Sequence, residues 1–174
     1  MFSLTRQKIP FTILALMTVL LLAACGADRK ETVTKTVDDF FEIKLGERVI
    51  KMQIAVLPGE VQRGLMFRKT MGWDEGMLFA FRRPQTMSFF MRNTSLPLDI
   101  GYISGTGELK EIYPMYPFDE RTVISHGNDL QYALEMNQGW FKDRGVKPGD
   151  KLDLKALAAA LKARGLDLQA AEMP

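Results

Sequence analysis

The stretch FEIKLGERVIKMQIAVL, Phe41 to Leu57, decides the fold. Phe41, Ile43 and Leu45 alternate with polar residues, Gly46-Glu47 supplies a turn, and an alternating, β-branched run resumes at Val49. Alternation at period two gathers apolar side chains on one face of a strand, and a short glycine-containing turn between two such runs makes a hairpin. The same grammar recurs downstream. Strands are expected at Met77–Phe81, Thr86–Arg92, Leu98–Ser104, Glu108–Tyr113, Leu130–Met136 and Lys151–Leu154, with Ser104-Gly105-Thr106-Gly107 closing another hairpin.

Helical signals are brief. Pro58 opens a segment in which Val61, Leu65 and Met66 recur at helical spacing, predicting a short helix over Pro58–Met66. A second short piece, Gln138–Arg144, stops at Gly145. The run KALAAALKARG predicts a helix over Lys155–Arg164, appended after the last strand. Many short strands with few helices indicate a mainly β domain, a sandwich or partly open barrel with helical decoration. A doubly wound α/β fold would need more and longer crossover helices.

The chain starts MFSLTRQKIPFTILALMTVLLLAACGADRK, with Arg6 and Lys8 ahead of an uncharged run from Ile9 to Leu22. A basic n-region and a short apolar h-region are the marks of an export signal, and the run is shorter than the about 20 apolar residues of a membrane-spanning helix. Leu22-Ala23-Ala24-Cys25 resembles the lipobox of bacterial lipoproteins, which implies cleavage after Ala24 and lipidation of Cys25, the sole cysteine. The alternative is cleavage that leaves a free thiol. Gly26 after the cysteine, by the same resemblance, does not signal retention at the inner membrane, so the expected address is the periplasmic face of the outer membrane. The expected organisation is a signal over 1–24, a lipidated cysteine and polar tether over 25–39, a β domain over 40–154 and a helical tail over 155–174.

Removing the signal takes away Arg6 and Lys8 and leaves 21 basic and 21 acidic residues, a near-neutral chain of 150 residues. That length suffices for one core. No Lys/Arg run exceeds two, so the clustered positive surface of a nucleic-acid binder is not expected. The expected partner is the membrane, reached through the lipid. Oligomeric state is not readable.

RGLMFR (Arg63–Arg68), GMLFAF (Gly76–Phe81), MSFFMRNTSLPLDIGYI (Met87–Ile103), LEMNQGW (Leu134–Trp140) and GVKPGD (Gly145–Asp150) occur in this order. Together they resemble domain-of-unknown-function family 192 over about Lys44 to Leu154. The resemblance implies a small jelly-roll-like β-sandwich in mainly exported proteins with no established activity. Phe90 stands where the family usually has Trp, and the C-terminal helix lies outside the resemblance.

The candidate site is a polar cluster: Arg63, Arg68, Arg92, Asn93, Asp99 and Glu135, the last interrupting the apolar alternation of YALEM. A charge near a core strand needs a partner. The expected pairing sets Arg63 or Arg68 against Glu135 or Asp99, either pinning a helix to the sheet or lining a cleft for a small anion, a glycan or a protein segment. Two rival readings are an envelope-polymer hydrolase or lyase with Glu135 and Asp99 as acid and base, and a structural assembly factor with Trp73, Phe118 and Trp140 as exposed anchors. His126 beside Ser125 and Asp129 offers only a weak nucleophile–base arrangement. One histidine and one cysteine are too few for a zinc or iron site, so no metal or cofactor is expected. Asp119, Glu120, Asn128 and Asp129 fit no known calcium loop. Met87 and Met91, at period two around Phe89, read as core rather than as copper(I) ligands.

Overall fold

The computed structural model describes residues 34–167. The signal, Cys25, the tether up to residue 33 and the tail from residue 168 lie outside the described residues. Eight strands are described, β1 (Phe41–Leu45), β2 (Arg48–Ala55), β3 (Glu75–Gln85), β4 (Ser88–Phe89), β5 (Leu98–Ser104), β6 (Leu109–Met115), β7 (Val123–Ile124) and β8 (Leu130–Asn137). Three helices accompany them, α1 (Pro58–Arg63), α2 (Trp140–Arg144) and α3 (Leu154–Ala163).

Six strands form one mixed sheet in the order β1-β2-β3-β8-β5-β6, and β4 pairs with β7 in a small second sheet. The expected hairpins are present: β1 pairs with β2 and β5 with β6, both antiparallel. β2 and β3 run parallel, which forces a crossover between them. That crossover carries α1 and the RGLMFR segment across one face of the sheet.

The edge strands meet the same piece of chain. Gly46 N–H donates to the Lys151 carbonyl (2.9 Å) and Asp153 N–H to Lys44 (2.9 Å), on the β1 side. Leu152 N–H donates to Gly107 (2.8 Å) and Leu109 N–H to Asp150 (2.9 Å), on the β6 side. The final expected strand is thus a two-residue bridge between edges, and the sheet is a partly open barrel with β4 and β7 as a second layer.

The two faces bury separate apolar clusters. The first packs Ile50, Leu78 and Leu134 against Trp140 and Phe141 of α2 and Leu157 and Leu161 of α3. Gly101 makes room for α2: a Cβ there would sit 2.9 Å from the Phe141 ring. The second packs Phe79, Ile100, Tyr102 and Ala133 beneath Leu65 of the crossover and Met87 and Met91.

Three further elements differ from expectation. The Thr86–Arg92 strand shrinks to Ser88–Phe89, because Met91 N–H turns to the Asp119 carbonyl (2.8 Å) and Asn93 adopts a left-handed φ of 55°. The first helix ends at Arg63 because Gly64 (φ 46°) returns its N–H to Glu60. β3 continues past Phe81 through exposed Arg82-Arg83-Pro84, regaining its pairing with β8 after an irregularity, at Gln85.

Candidate functional site

Glu135 sits in the middle of the central strand β8, opposite Met77 of β3 and Ile100 of β5. Strand alternation places it with Ala133 on the second face. Gly76 lets the neighbouring strand close up here, since a Cβ would lie 2.5 Å from the Glu135 carbonyl oxygen. The side chain is 5% exposed. Among the described residues, no hydrogen bond or ion pair to its carboxyl is found. Burial therefore acts unopposed and pushes the Glu135 carboxyl up to about 8.

Above Glu135 lies a cleft of about 460 Å³ between the sheet, the crossover and the β4 segment. Phe79, Phe81, Phe89 and Phe90 supply apolar wall, and Gln62, Arg63, Gln85 and Thr94 supply polar groups. An adjoining cavity of about 640 Å³ shares Val61, Gln62, Phe81 and Gln85 and adds Arg82 and Arg83. Phe89 meets Phe79 edge-on with ring centroids 5.0 Å apart, which fixes the aromatic wall.

The Asn93-Thr94 turn holds this cleft together from one side. Phe67 N–H donates to the Asn93 carbonyl (2.8 Å), Phe118 N–H to the Thr94 carbonyl (3.0 Å), and Thr94 Oγ1 to the Arg92 carbonyl (3.2 Å). Phe67 (φ 63°) and Phe118 (φ 59°) share Asn93's left-handed backbone, a conformation that costs an ordinary residue about 1 kcal/mol or more. Three such residues joined by backbone bonds mark a junction fixed by its surroundings. In the first turn of α1, Glu60 accepts from the Val56 and Leu57 amides at 3.0 Å each and from Arg164 of the C-terminal segment at 2.5 Å. Burial raises the Glu60 carboxyl, and the Arg164 guanidinium with the two amides outweighs it, leaving the group below its ordinary range. Arg164 also donates to the Ile54 carbonyl. The C-terminal helix segment, outside the sequence resemblance, is thereby tied to the end of β2 and the start of the crossover.

The expected arginine–carboxylate pairs do not form. Arg68 donates to Gln53, a buried amide that interrupts β2 as Glu135 interrupts β8. Arg92 is exposed, doubly bonded to Glu120 Oε2 (3.0 and 2.8 Å) and 5.1 Å from the Phe90 ring. Arg63 is exposed at the cleft with no described partner. Asp99 pairs in register with Met136, so it points to the opposite face from Glu135 and accepts from Gly139 N–H at 2.8 Å. Burial raises the Asp99 carboxyl against that bond. Two carboxyls on opposite faces of a sheet cannot act together as acid and base on one glycosidic bond.

Other candidates resolve locally. Ser125 Oγ accepts from Met87 N–H and donates to the Gly127 carbonyl, both at 2.9 Å, and so is not aimed at His126. His126 Nδ1 lies 2.6 Å from the Tyr113 hydroxyl, which donates to Glu111 Oε2 at 2.7 Å. Asp119 is taken by Arg121 and Glu120 by Arg92, and among the described residues no group of three His, Cys, Asp or Glu is placed to hold a metal. Trp140, expected as an exposed anchor, is fully buried and donates Nε1–H to Asp74 Oδ1 at 2.9 Å. Trp73 and Phe118 are exposed.

The sequence reading missed Phe81, Phe89 and Thr94 as cleft walls. The signal within reach was Gln53, the second polar residue inside an apolar strand, which stands one strand beyond Met77 in the same row as Glu135.

Residues 41–154 match the family described as an uncharacterized ACR, DUF192. The chain is 33% identical to a Sinorhizobium meliloti protein whose crystal structure is titled a candidate transcription regulator, covering 66% of this chain and 92% of that one with a TM-score of 0.63. It is likewise 33% identical to a protein of unknown function from Novosphingobium aromaticivorans, over 66% of this chain and 84% of that one, with a TM-score of 0.62. Among curated proteins none matches.

Proposed function

The chain belongs to domain-of-unknown-function family 192, and we propose that this member is a ligand-binding β domain that does no covalent chemistry and is carried at the cell envelope by a lipid on Cys25. One observation carries the reading: a buried carboxyl without a described partner forms the floor of an open, aromatic-walled cleft. A buried carboxyl left without a partner costs about 1–3 kcal/mol even as the neutral acid, and such groups concentrate where something else comes to meet them. The cleft's volume and its apolar lining with a few convergent polar groups match small-molecule sites, which run from about 300 to 1,000 Å³. A carboxyl is the wrong floor for a small anion, so the ligand class shifts towards neutral or cationic molecules.

The envelope address is supported by the basic and apolar start of the chain and by the lipobox-like Leu22-Ala23-Ala24-Cys25. Two or more acyl chains hold a protein firmly where one does so marginally, so the domain would work at a membrane surface, facing the periplasm.

The test is a fragment screen by saturation-transfer NMR against the wild type and Gln62→Trp. Gln62 is exposed on α1 and lines both cavities, so an indole there obstructs the cleft without entering the core. A set of fragments that binds the wild type and is lost from the variant is expected. Binding that ignores the substitution, or no binding at all, refutes the reading.

A further inference from the structure

The cleft offers an entering molecule one ionisable group at its floor and rings around it. Phe79, Phe81 and Phe89 flank the space above Glu135, and the polar lining residues Gln85 at the end of β3 and Thr86 and Ser88 at β4 are exposed. Thr94 Oγ1 is already directed to a backbone carbonyl. A carboxyl beneath aromatic faces is the pairing that recognises ammonium groups, through an ion pair below and cation–π attraction at the sides. A lone carboxyl is too few ligands for a metal ion.

Resting on the cleft-binding reading above, we propose that the ligand is an organic amine whose ammonium group seats on the Glu135 carboxylate while its apolar body lies along Phe81 and Phe89. The charged groups around the site leave this role open. Arg63 from the crossover is exposed at the cleft and does not reach the carboxyl in any described bond. Arg68 is held by Gln53. Glu75, two residues along β3 from Met77, accepts from Gly72 N–H at 2.9 Å. Tyr102 of β5 donates to the Val123 carbonyl at 2.6 Å, and burial keeps its hydroxyl protonated. Arg82 and Arg83, farther along β3, are exposed and line the adjoining cavity, not the cleft over Glu135; Met77, Phe79 and Phe81 of β3, and the residues from Thr86 to Phe90, are not ionisable.

Charge balance follows directly. The empty cleft holds Glu135 as the neutral acid at pH 7, since burial has pushed it up to about 8. An incoming ammonium keeps its proton, Glu135 releases its own to solvent, and the ion pair remains.

The test uses the full-length chain in lipid nanodiscs, with empty nanodiscs as blank, titrated calorimetrically at pH 8 with 2-phenylethylamine and its neutral isostere 2-phenylethanol. The amine is expected to bind about tenfold tighter, the worth of one hydrogen bond to a charged group. Glu135→Gln should bring the two to near equality. Repeating the amine titration at pH 7 in phosphate and in Tris, whose ionisation enthalpies differ, should show release of close to one proton, a readout that needs no variant. Equal binding of both probes, or an amine that releases no proton, overturns the amine assignment while leaving the cleft reading standing if Gln62→Trp still blocks 2-phenylethanol. Failure of both probes to bind overturns the amine assignment, and the fragment screen against Gln62→Trp decides the cleft reading separately.

Discussion

Glu135→Gln should stabilise the empty protein, and by an amount that depends on pH. An unfolded glutamate ionises near 4.5, whereas the buried group holds its proton up to about 8. Between those values the folded state binds more protons than the unfolded one, so wild-type stability falls as pH rises through the window and levels off above it. Each unit is worth about 1.4 kcal/mol. The amide carries no such proton, and the other titrating groups are common to both proteins. The variant's advantage over the wild type should therefore grow by about 3 kcal/mol between pH 4.5 and pH 7, and by about 1.4 kcal/mol more between pH 7 and pH 9. Urea unfolding followed by far-UV circular dichroism at several pH values, analysed by linear extrapolation, measures it. A difference that stays flat would refute the reasoning because Glu135 would then titrate alike in the folded and unfolded states, and one that shrinks as pH rises would mean that the folded protein pairs an ionised Glu135 with a cation.

Further outcomes follow from the same geometry. Arg63→Ala and Glu135→Gln should show no coupling beyond about 0.5 kcal/mol in a double-mutant cycle at pH 7, since the two side chains form no described pair. Arg164→Ala breaks a buried pair with Glu60 and a bond to the Ile54 carbonyl, and should cost about 3–5 kcal/mol in thermal or urea unfolding while speeding hydrogen exchange in α1. Asn93→Gly should be neutral within a few tenths of a kcal/mol and Asn93→Val should cost about 1–2 kcal/mol, because only the former accepts φ 55° without strain. Cys25→Ser should abolish lipid mass and membrane retention in a fractionation experiment; normal retention with unchanged mass would overturn the anchor.

Much of the fold was legible because period-two alternation is a local property. The Phe41–Leu57 hairpin and the Leu98–Tyr113 hairpin needed nothing beyond their own residues. The parallel β2–β3 pairing was not, since nothing local distinguishes a strand that pairs with its sequential neighbour from one that crosses over. Register was equally hidden. Asp99 and Ile100 are adjacent in sequence, and which of them shares a face with Glu135 depends on how β5 aligns with β8. A shift of one residue reverses the answer. The expected carboxylate pair failed for that reason.

The candidate site was legible in one residue and not in its surroundings. Glu135 stood out because a charge inside YALEM has to be explained. Its partner was sought among nearby arginines, but Arg92 had an exposed glutamate in reach across the turn and Arg68 had the Gln53 amide, pairings set by tertiary contact between residues 15 and 28 positions apart. Phe81 was legible only as the end of a strand, and Phe89 looked like core because aromatic residues on strands usually are. That they border open space depends on the crossover leaving a gap above β8. Trp140 shows the reverse: an indole in a short helix looked like an anchor, and its bond to Asp74 accompanies a fully buried seat instead.

The central claim is that Glu135 waits as a neutral acid for a ligand in the cleft. It is tested most directly by following the Glu135 side-chain carboxyl by ¹³C NMR through a pH titration, in the empty protein and with 2-phenylethylamine present. The predicted result is titration near 8 when empty and an ionised carboxylate at pH 7 when the amine is bound. Titration in the ordinary carboxylate range, unaffected by the amine, would contradict the account.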